Sequence, residues 1–121
     1  MRRPGMMAGM MPNQVPTVSV EQIPPGAFLL DVREDNEWAA GHAPGAHHVP
    51  MHDLPARIAE IPTDSDVVVA CRMGGRSAQV TAYLVQQGWG NVANLAGGMW
   101  AWEAAGRPVQ RADGSGQGTV I

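Results

Sequence analysis

The fold of this chain is decided by one stretch, Asp66-Val67-Val68-Val69-Ala70-Cys71-Arg72-Met73-Gly74-Gly75-Arg76-Ser77. The run 67–70 is β-branched or small and has no polar break, which is typical of a strand buried on both faces of a parallel sheet. The apolar spacing over residues 77–87 predicts a helix, which Gly88 ends. A strand, a tight loop and a helix therefore follow one another, with Cys71 at the carboxyl end of the strand.

The loop after this strand has the residue types that hold an anion. A glycine pair that opens a helix points backbone N–H groups into one concavity, and the helix N-terminus adds about half a positive charge there. Arg72 and Arg76 add two cations. Such surroundings lower the pKa of a thiol, so we expect Cys71 to be a nucleophilic thiolate. A lone cysteine at a strand end is usually only a small buried side chain, but the flanking glycines and arginines favour the catalytic interpretation.

Composition limits the classes of function. At 121 residues the chain has the size of one domain. Its single cysteine excludes an internal disulfide and a Cys-x-x-Cys zinc site, and it suits a reducing compartment, so we expect the cytoplasm. No apolar run approaches the ~20 residues of a membrane helix. The net charge is −3 and the eight basic residues are dispersed arginines, which argues against nucleic-acid binding.

The order of elements predicts an α/β protein. Strands are expected over 15–20, 27–33, 47–50, 66–70 and 91–95, and helices over 34–40, 53–61, 77–87 and 99–105. This alternation predicts a small, mostly parallel five-stranded sheet with helices on both faces. Residues 1–14 are predicted to be a disordered leader, 15–110 the folded domain, and 111–121 a flexible tail. Gly97-Gly98 is interpreted as a tight strand-to-helix turn, because G-x-G-x-x-G is absent.

Four histidines, His42, His47, His48 and His52, raise the question of a metal. His47 and His48 would face opposite sides of a strand, and no compact set of acidic or cysteine ligands completes a site around them. We therefore predict that the protein holds no metal.

Several motifs occur in one order along the chain: Asp31-Val32-Arg33, Glu37-Trp38, Gly41-His42-Ala43-Pro44-Gly45-Ala46, the Cys71 to Ser77 stretch, Gly88, Leu95-Ala96-Gly97-Gly98 and Trp102. In these the chain resembles the single-domain rhodaneses, which are thiosulfate or persulfide sulfurtransferases. One departure is Ala43, where the family usually has a larger aliphatic residue.

The resemblance implies a role for each residue of the loop. Cys71 would be the nucleophile that carries the sulfur, and Arg72 and Arg76 would attract and orient thiosulfate. Ser77 would donate a hydrogen bond to the thiolate and cap the following helix. The cradle for the sulfur would be made by the backbone N–H groups of Met73, Gly74, Gly75, Arg76 and Ser77.

Asp31, Arg33 and His42 are interpreted as supporting residues, because a buried ion pair near such a loop more often braces it than contacts substrate. The implied reaction is a double displacement. It needs no cofactor, since the cradle itself stabilises the charge at the sulfur. The implied partners are a small sulfur-containing anion as donor and cyanide, a thiol or a partner protein as acceptor.

Two alternatives remain open. Dual-specificity phosphatases and arsenate reductases share part of this fold, but their cysteine-to-arginine loop is one residue longer than the four residues between Cys71 and Arg76. The other alternative is a non-catalytic binding module, although inactive family members typically lack the cysteine.

Overall fold

An all-parallel sheet of five strands forms the centre of the computed structural model, which describes residues 15–121. The predicted leader over 1–14 lies outside the described residues. The strands are β1 (Thr17–Val18), β2 (Phe28–Asp31), β3 (His47–His48), β4 (Val67–Ala70) and β5 (Val92–Leu95), in the spatial order β1-β5-β4-β2-β3. The helices are α1 (Asp35–Ala40), α2 (Leu54–Arg57), α3 (Gly75–Gln86) and α4 (Gly98–Ala104). The predicted α/β class and parallel sheet are confirmed.

Strand β4 lies in the middle of the sheet and is buried along its whole length, as its composition predicted. Its side chains alternate between two apolar clusters, because successive strand residues face opposite sides. Val67 and Val69 pack in the cluster that includes Leu84 of α3, whereas Val68 packs in the cluster that includes Met99 of α4. The sheet is therefore covered on both faces, and both covering helices begin beside the carboxyl end of β4.

The segment predicted as one helix over 53–61 is divided into three short pieces. A 3-10 turn over Met51–Asp53 leads into the single turn of α2, and a second 3-10 turn follows over Ile58–Glu60. Asp53, which precedes α2, makes no side-chain hydrogen bond that caps the helix. Prolines account for two of the boundaries: at the start of α2, Pro55 has no N–H to donate back to Met51, and at the end of the segment Pro62 disfavours helical geometry in Ile61.

Residues 111–121, predicted as a flexible tail, make hydrogen bonds with one another and with the body of the domain, and their flexibility stays a prediction. The N–H of Arg111 donates to the carbonyl of Gly116 at 3.0 Å, so the chain doubles back. Gln117 then forms an antiparallel bridge with Gln110. The small polar residues of this segment permit a tight turn and a close return along the domain.

Within residues 15–121 there is no helix of sufficient length and apolar character to span a bilayer.

Leu84 tests the core on the α3 face, because its side chain is fully buried. We expect Leu84→Ala to lower the free energy of unfolding by about 2–5 kcal/mol, the cost of lost burial plus a cavity. Gln86→Ala on the same helix is the control, since Gln86 is exposed. Urea unfolding of both variants measures the difference, and equal midpoints would contradict this placement of Leu84.

Candidate active site

Cys71 follows the last residue of β4 and is only 1% exposed. The loop after it turns into α3 at Gly74, whose φ of +118° lies in the left-handed region that favours glycine. Helix α3 therefore begins at Gly75, two residues earlier than predicted. This early start brings the first turn of α3 directly to the cysteine.

The sulfur of Cys71 accepts hydrogen bonds from the loop and from α3. The backbone N–H of Gly74 is 3.0 Å from Sγ, and the hydroxyl of Ser77 is 3.2 Å away. Burial by itself raises the pKa of the Cys71 thiol. The Ser77 hydroxyl and the backbone N–H groups of Ser77, Gly74 and Met73 outweigh that effect and lower the pKa. The arrangement therefore favours a thiolate.

Ser77 does not cap α3, which corrects one part of its predicted role, because the helix already begins at Gly75. Its hydroxyl lies between Cys71 Sγ and Oδ1 of Asn94, which is 2.5 Å away on β5. A hydroxyl has one proton to donate and lone pairs to accept. Since Sγ and Oδ1 are both acceptors, the sulfur and Asn94 compete for the one proton of the Ser77 hydroxyl.

The N-terminal turn of α4 donates two backbone hydrogen bonds to the Cys71 loop. The N–H of Met99 donates to the carbonyl of Cys71 at 2.8 Å, and that of Trp100 to the carbonyl of Arg72 at 2.9 Å. Gly98 makes this approach possible, since a Cβ there would lie 2.7 Å from the Arg72 carbonyl oxygen. The Gly97-Gly98 turn is therefore strand-to-helix, as predicted, and it also brings α4 into hydrogen bonding with the backbone of Cys71 and Arg72.

The two loop arginines have different partners. Arg76 makes a two-pronged ion pair with Glu37 of α1, with Nη–Oε distances of 2.7 and 2.9 Å. The hydrogen bond from Arg76 lowers the pKa of Glu37, and the same bond raises the pKa of Arg76, so the pair is charged at neutral pH. Arg72 is exposed and donates from Nε to the main-chain oxygen of Ile121 at 2.8 Å. Contact of either arginine with thiosulfate stays a prediction.

Comparison with known proteins identifies the family to which this chain belongs. The model of the rhodanese-like domain matches residues 18–105, which is most of the chain. The chain belongs to the rhodanese-like domain family. The predicted resemblance is confirmed.

Rhodanese relatives match over most of their own length. A sulfurtransferase of Allochromatium vinosum is 49% identical over 87 residues, which cover 72% of this chain and 81% of the relative. The thiosulfate sulfurtransferase GlpE of Stutzerimonas stutzeri is 39% identical over 77 residues, covering 64% of this chain and 71% of GlpE. A rhodanese-related protein of Thermoplasma volcanium superposes with a TM-score of 0.72 at 27% identity, covering 78% and 96% of the two chains. These similarities support a sulfurtransferase enzyme.

The rhodanese motif residues Asp31, Arg33 and His42 lie beside the site and contact its framework. Arg33 pairs with Asp31 at 2.8 Å, both side chains being buried, and also donates to the carbonyl of Gly41 at 2.7 Å. The ring of His42 stacks on Trp38, and its Nδ1 donates to the Trp38 carbonyl at 3.0 Å. These contacts tie β2 to the end of α1 and support the predicted bracing role.

The histidines do not gather into a metal site in the described part of the chain. No group of three or more His, Cys, Asp or Glu side chains that could hold a metal ion occurs over residues 15–121. His47 and His52 instead lie beside acidic side chains, with His47 2.7 Å from Glu60.

Two residues of the site were given no role by sequence reasoning. Glu37 was assigned only to a motif, and its pairing with Arg76 spans 39 positions, which no local pattern reveals. Asn94 had a usable signal, because it is a polar residue near the carboxyl end of an otherwise apolar strand. In a parallel sheet that end lies on the same edge as Cys71.

Ser77→Ala tests the hydrogen bond to the sulfur. Removing a donor that lowers the thiol pKa should shift the pH midpoint of Cys71 alkylation by iodoacetamide upward, with slower alkylation at neutral pH. Ser65→Ala is the control, since Ser65 precedes β4 at the opposite edge of the sheet. An unchanged midpoint in Ser77→Ala would show that the hydroxyl does not stabilise the thiolate.

Proposed function

We propose that this protein moves a sulfane sulfur from thiosulfate or a persulfide donor to a thiophilic acceptor, with Cys71 as the carrier. The observation that carries the proposal is the surroundings of Cys71 Sγ. A backbone N–H at 3.0 Å and a hydroxyl at 3.2 Å are directed at a buried sulfur, and the pKa of the thiol is lowered. Such a site stabilises a charged sulfur nucleophile near neutral pH.

In the first step the Cys71 thiolate attacks the outer sulfur of thiosulfate. The new bond forms between Sγ and that sulfur, the sulfur–sulfur bond of thiosulfate breaks, and sulfite leaves with the bonding electron pair. The product is a cysteine persulfide with one negative charge. Hydrogen-bond donors already in place around the sulfur stabilise this charge without having to reorganise.

In the second step a nucleophilic acceptor attacks the outer sulfur of the persulfide. The bond between Sγ and the outer sulfur breaks, and the electron pair returns to Sγ as the thiolate. Cyanide is the acceptor in an assay and leaves as thiocyanate, whereas a thiol or a partner protein would serve in a cell. The cycle restores the protein without a cofactor.

The ion pair of Arg76 and Glu37 contributes to this reaction from a distance. It joins the first turn of α3 to α1, and the positive charge of Arg76 interacts with Cys71. Glu37 balances the charge of Arg76, whereas both terminal nitrogens of Arg72 are without a hydrogen-bond partner among residues 15–121, so Arg72 is the loop arginine better placed to bind an incoming anion.

Cys71→Ser tests the carrier role. A serine hydroxyl is a far weaker nucleophile at neutral pH, so thiocyanate formation from thiosulfate and cyanide should fall to background while the thermal midpoint is retained. Intact-mass measurement after thiosulfate treatment should show one added sulfur on the wild type and none on the variant. Sulfur transfer by Cys71→Ser near the wild-type rate would remove Cys71 from the mechanism.

Aryl phosphate hydrolysis tests the phosphatase alternative. A transferring phosphoryl group needs several N–H donors around its oxygens with the phosphorus in line with the thiolate. A loop with four residues between Cys71 and Arg76 points the Gly74 N–H at the sulfur itself. We expect no hydrolysis above that of Cys71→Ser, alongside clear sulfur transfer by the wild type. Robust hydrolysis without sulfur transfer would replace the proposal with the alternative.

A further inference from the structure

The C-terminal residues 117–121 cross the domain and reach the active-site loop. Gln117 forms an antiparallel bridge with Gln110. The N–H of Gly118 donates to the carbonyl of Val109 at 2.9 Å, and the N–H of Thr119 donates to the carbonyl of Ala40 at 3.0 Å. We call residues 117–121 the strap. It runs along the end of α1 and finishes beside Arg72.

The strap packs so closely against the end of α1 that there is no room for a side chain at the buried Gly118. A Cβ on Gly118 would lie 2.6 Å from the carbonyl oxygen of Ala40 and 2.7 Å from the Cα of Gly41. Both are backbone atoms, which cannot yield as the end of a flexible side chain does. The strap therefore lies at a defined position that even one methyl group would disturb.

A second anchor holds the strap on the side of α4. The N–H of Val120 donates to a carboxylate oxygen of Glu103 at 3.2 Å. The next residue, Ile121, presents its main-chain oxygen to Nε of Arg72 at 2.8 Å. The strap thus links two independent anchors, at α1 and at α4, to one side chain of the Cys71 loop.

The bond to Arg72 uses only one edge of the guanidinium. Within residues 15–121, Nε is bonded to Ile121, while neither terminal nitrogen of Arg72 has a hydrogen-bond partner. A planar guanidinium held at Nε keeps its two terminal N–H₂ groups as a fork that fits an oxyanion. Since Arg72 is exposed, it would otherwise sample many rotamers.

We propose that the strap is a positioning device: through the Ile121 oxygen it fixes the Arg72 guanidinium beside the Cys71 loop, ready to bind the anionic sulfur donor. This inference rests on the proposed sulfurtransferase function and deepens it. Holding the fork in place before the donor arrives lowers the ordering cost of binding. The strap residues act through Arg72 and do not touch the reacting sulfur.

Gly118→Ala and Glu103→Ala release the strap from its two anchors separately. We expect each to raise KM for thiosulfate with little change in kcat, by roughly 5-fold for Gly118→Ala, because a preorganised contact is lost while the sulfur cradle is intact. Gly90→Ala and Asp64→Ala are the matched controls. Gly90 has open space around its Cα, and both residues lie at the opposite edge of the sheet from Cys71.

The dependence on Arg72 is tested by combining variants. In an Arg72→Ala background, Gly118→Ala should raise KM no further, because the strap then has no guanidinium to hold. An equal further rise in that background would overturn the proposal, as would KM values for Gly118→Ala and Glu103→Ala equal to those of their controls. If Gly118→Ala does not fold by thermal denaturation, Glu103→Ala alone decides.

Alkylation of Cys71 gives a readout that needs no sulfur transfer. Iodoacetate is anionic and iodoacetamide is neutral, so the ratio of their rates reports a cation placed beside the thiolate. We expect this ratio to fall in Gly118→Ala and in Arg72→Ala relative to the wild type and the controls. If the wild type forms no thiocyanate, the proposed function fails. The strap proposal is judged separately: an unchanged ratio of alkylation rates in Gly118→Ala would overturn it.

Discussion

A sulfur that is 1% exposed can be charged only if protein groups replace the water it has lost, and this constraint organises the molecule around Cys71. The replacement donors are the N–H of Gly74 and the hydroxyl of Ser77, both supplied by the turn from β4 into α3. That turn requires the left-handed conformation of Gly74 and is fixed by the two hydrogen bonds from α4 to the carbonyls of Cys71 and Arg72. The buried strand β4, the loop glycines and the first turns of α3 and α4 therefore all contribute to stabilising the charge on Cys71 Sγ.

The two loop arginines, Arg72 and Arg76, have different electrostatic roles. Arg76 lies in the first turn of α3 and is paired with Glu37, so it supplies positive charge near the sulfur in a fixed position and ties α3 to α1. Arg72 is exposed, and within residues 15–121 only its Nε has a hydrogen-bond partner, the main-chain oxygen of Ile121. An arginine that is held at Nε with both terminal nitrogens open can bind an oxyanion through two parallel hydrogen bonds at a low ordering cost.

The sequence predicted those features that depend on neighbouring residues, namely the strands, the helices and the loop glycines. The β-branched run of β4, the apolar face of α3 and the glycines of the loop led correctly to a parallel sheet with Cys71 at its carboxyl edge. The predicted helix over 53–61 is instead divided into short pieces, whose Leu54 and Ile61 are buried. Pairings between distant positions were not predictable: Arg76 with Glu37 and Arg72 with Ile121 bring together residues that no periodicity or spacing relates.

The proposed reaction explains why this site can be rigid and built without a general base. The resting thiolate and the persulfide each have one negative charge, so one set of donors stabilises both and no proton has to move at the sulfur. Consistent with this, within residues 15–121 the hydrogen bonds to Cys71 Sγ come from backbone N–H groups and Ser77, while His42 donates to the carbonyl of Trp38. A phosphatase would in addition have to protonate its leaving group and open its loop to a tetrahedral centre. A short, closed loop fixed by α4 and by the Arg76–Glu37 pair fits the transfer of a single sulfur better than that chemistry.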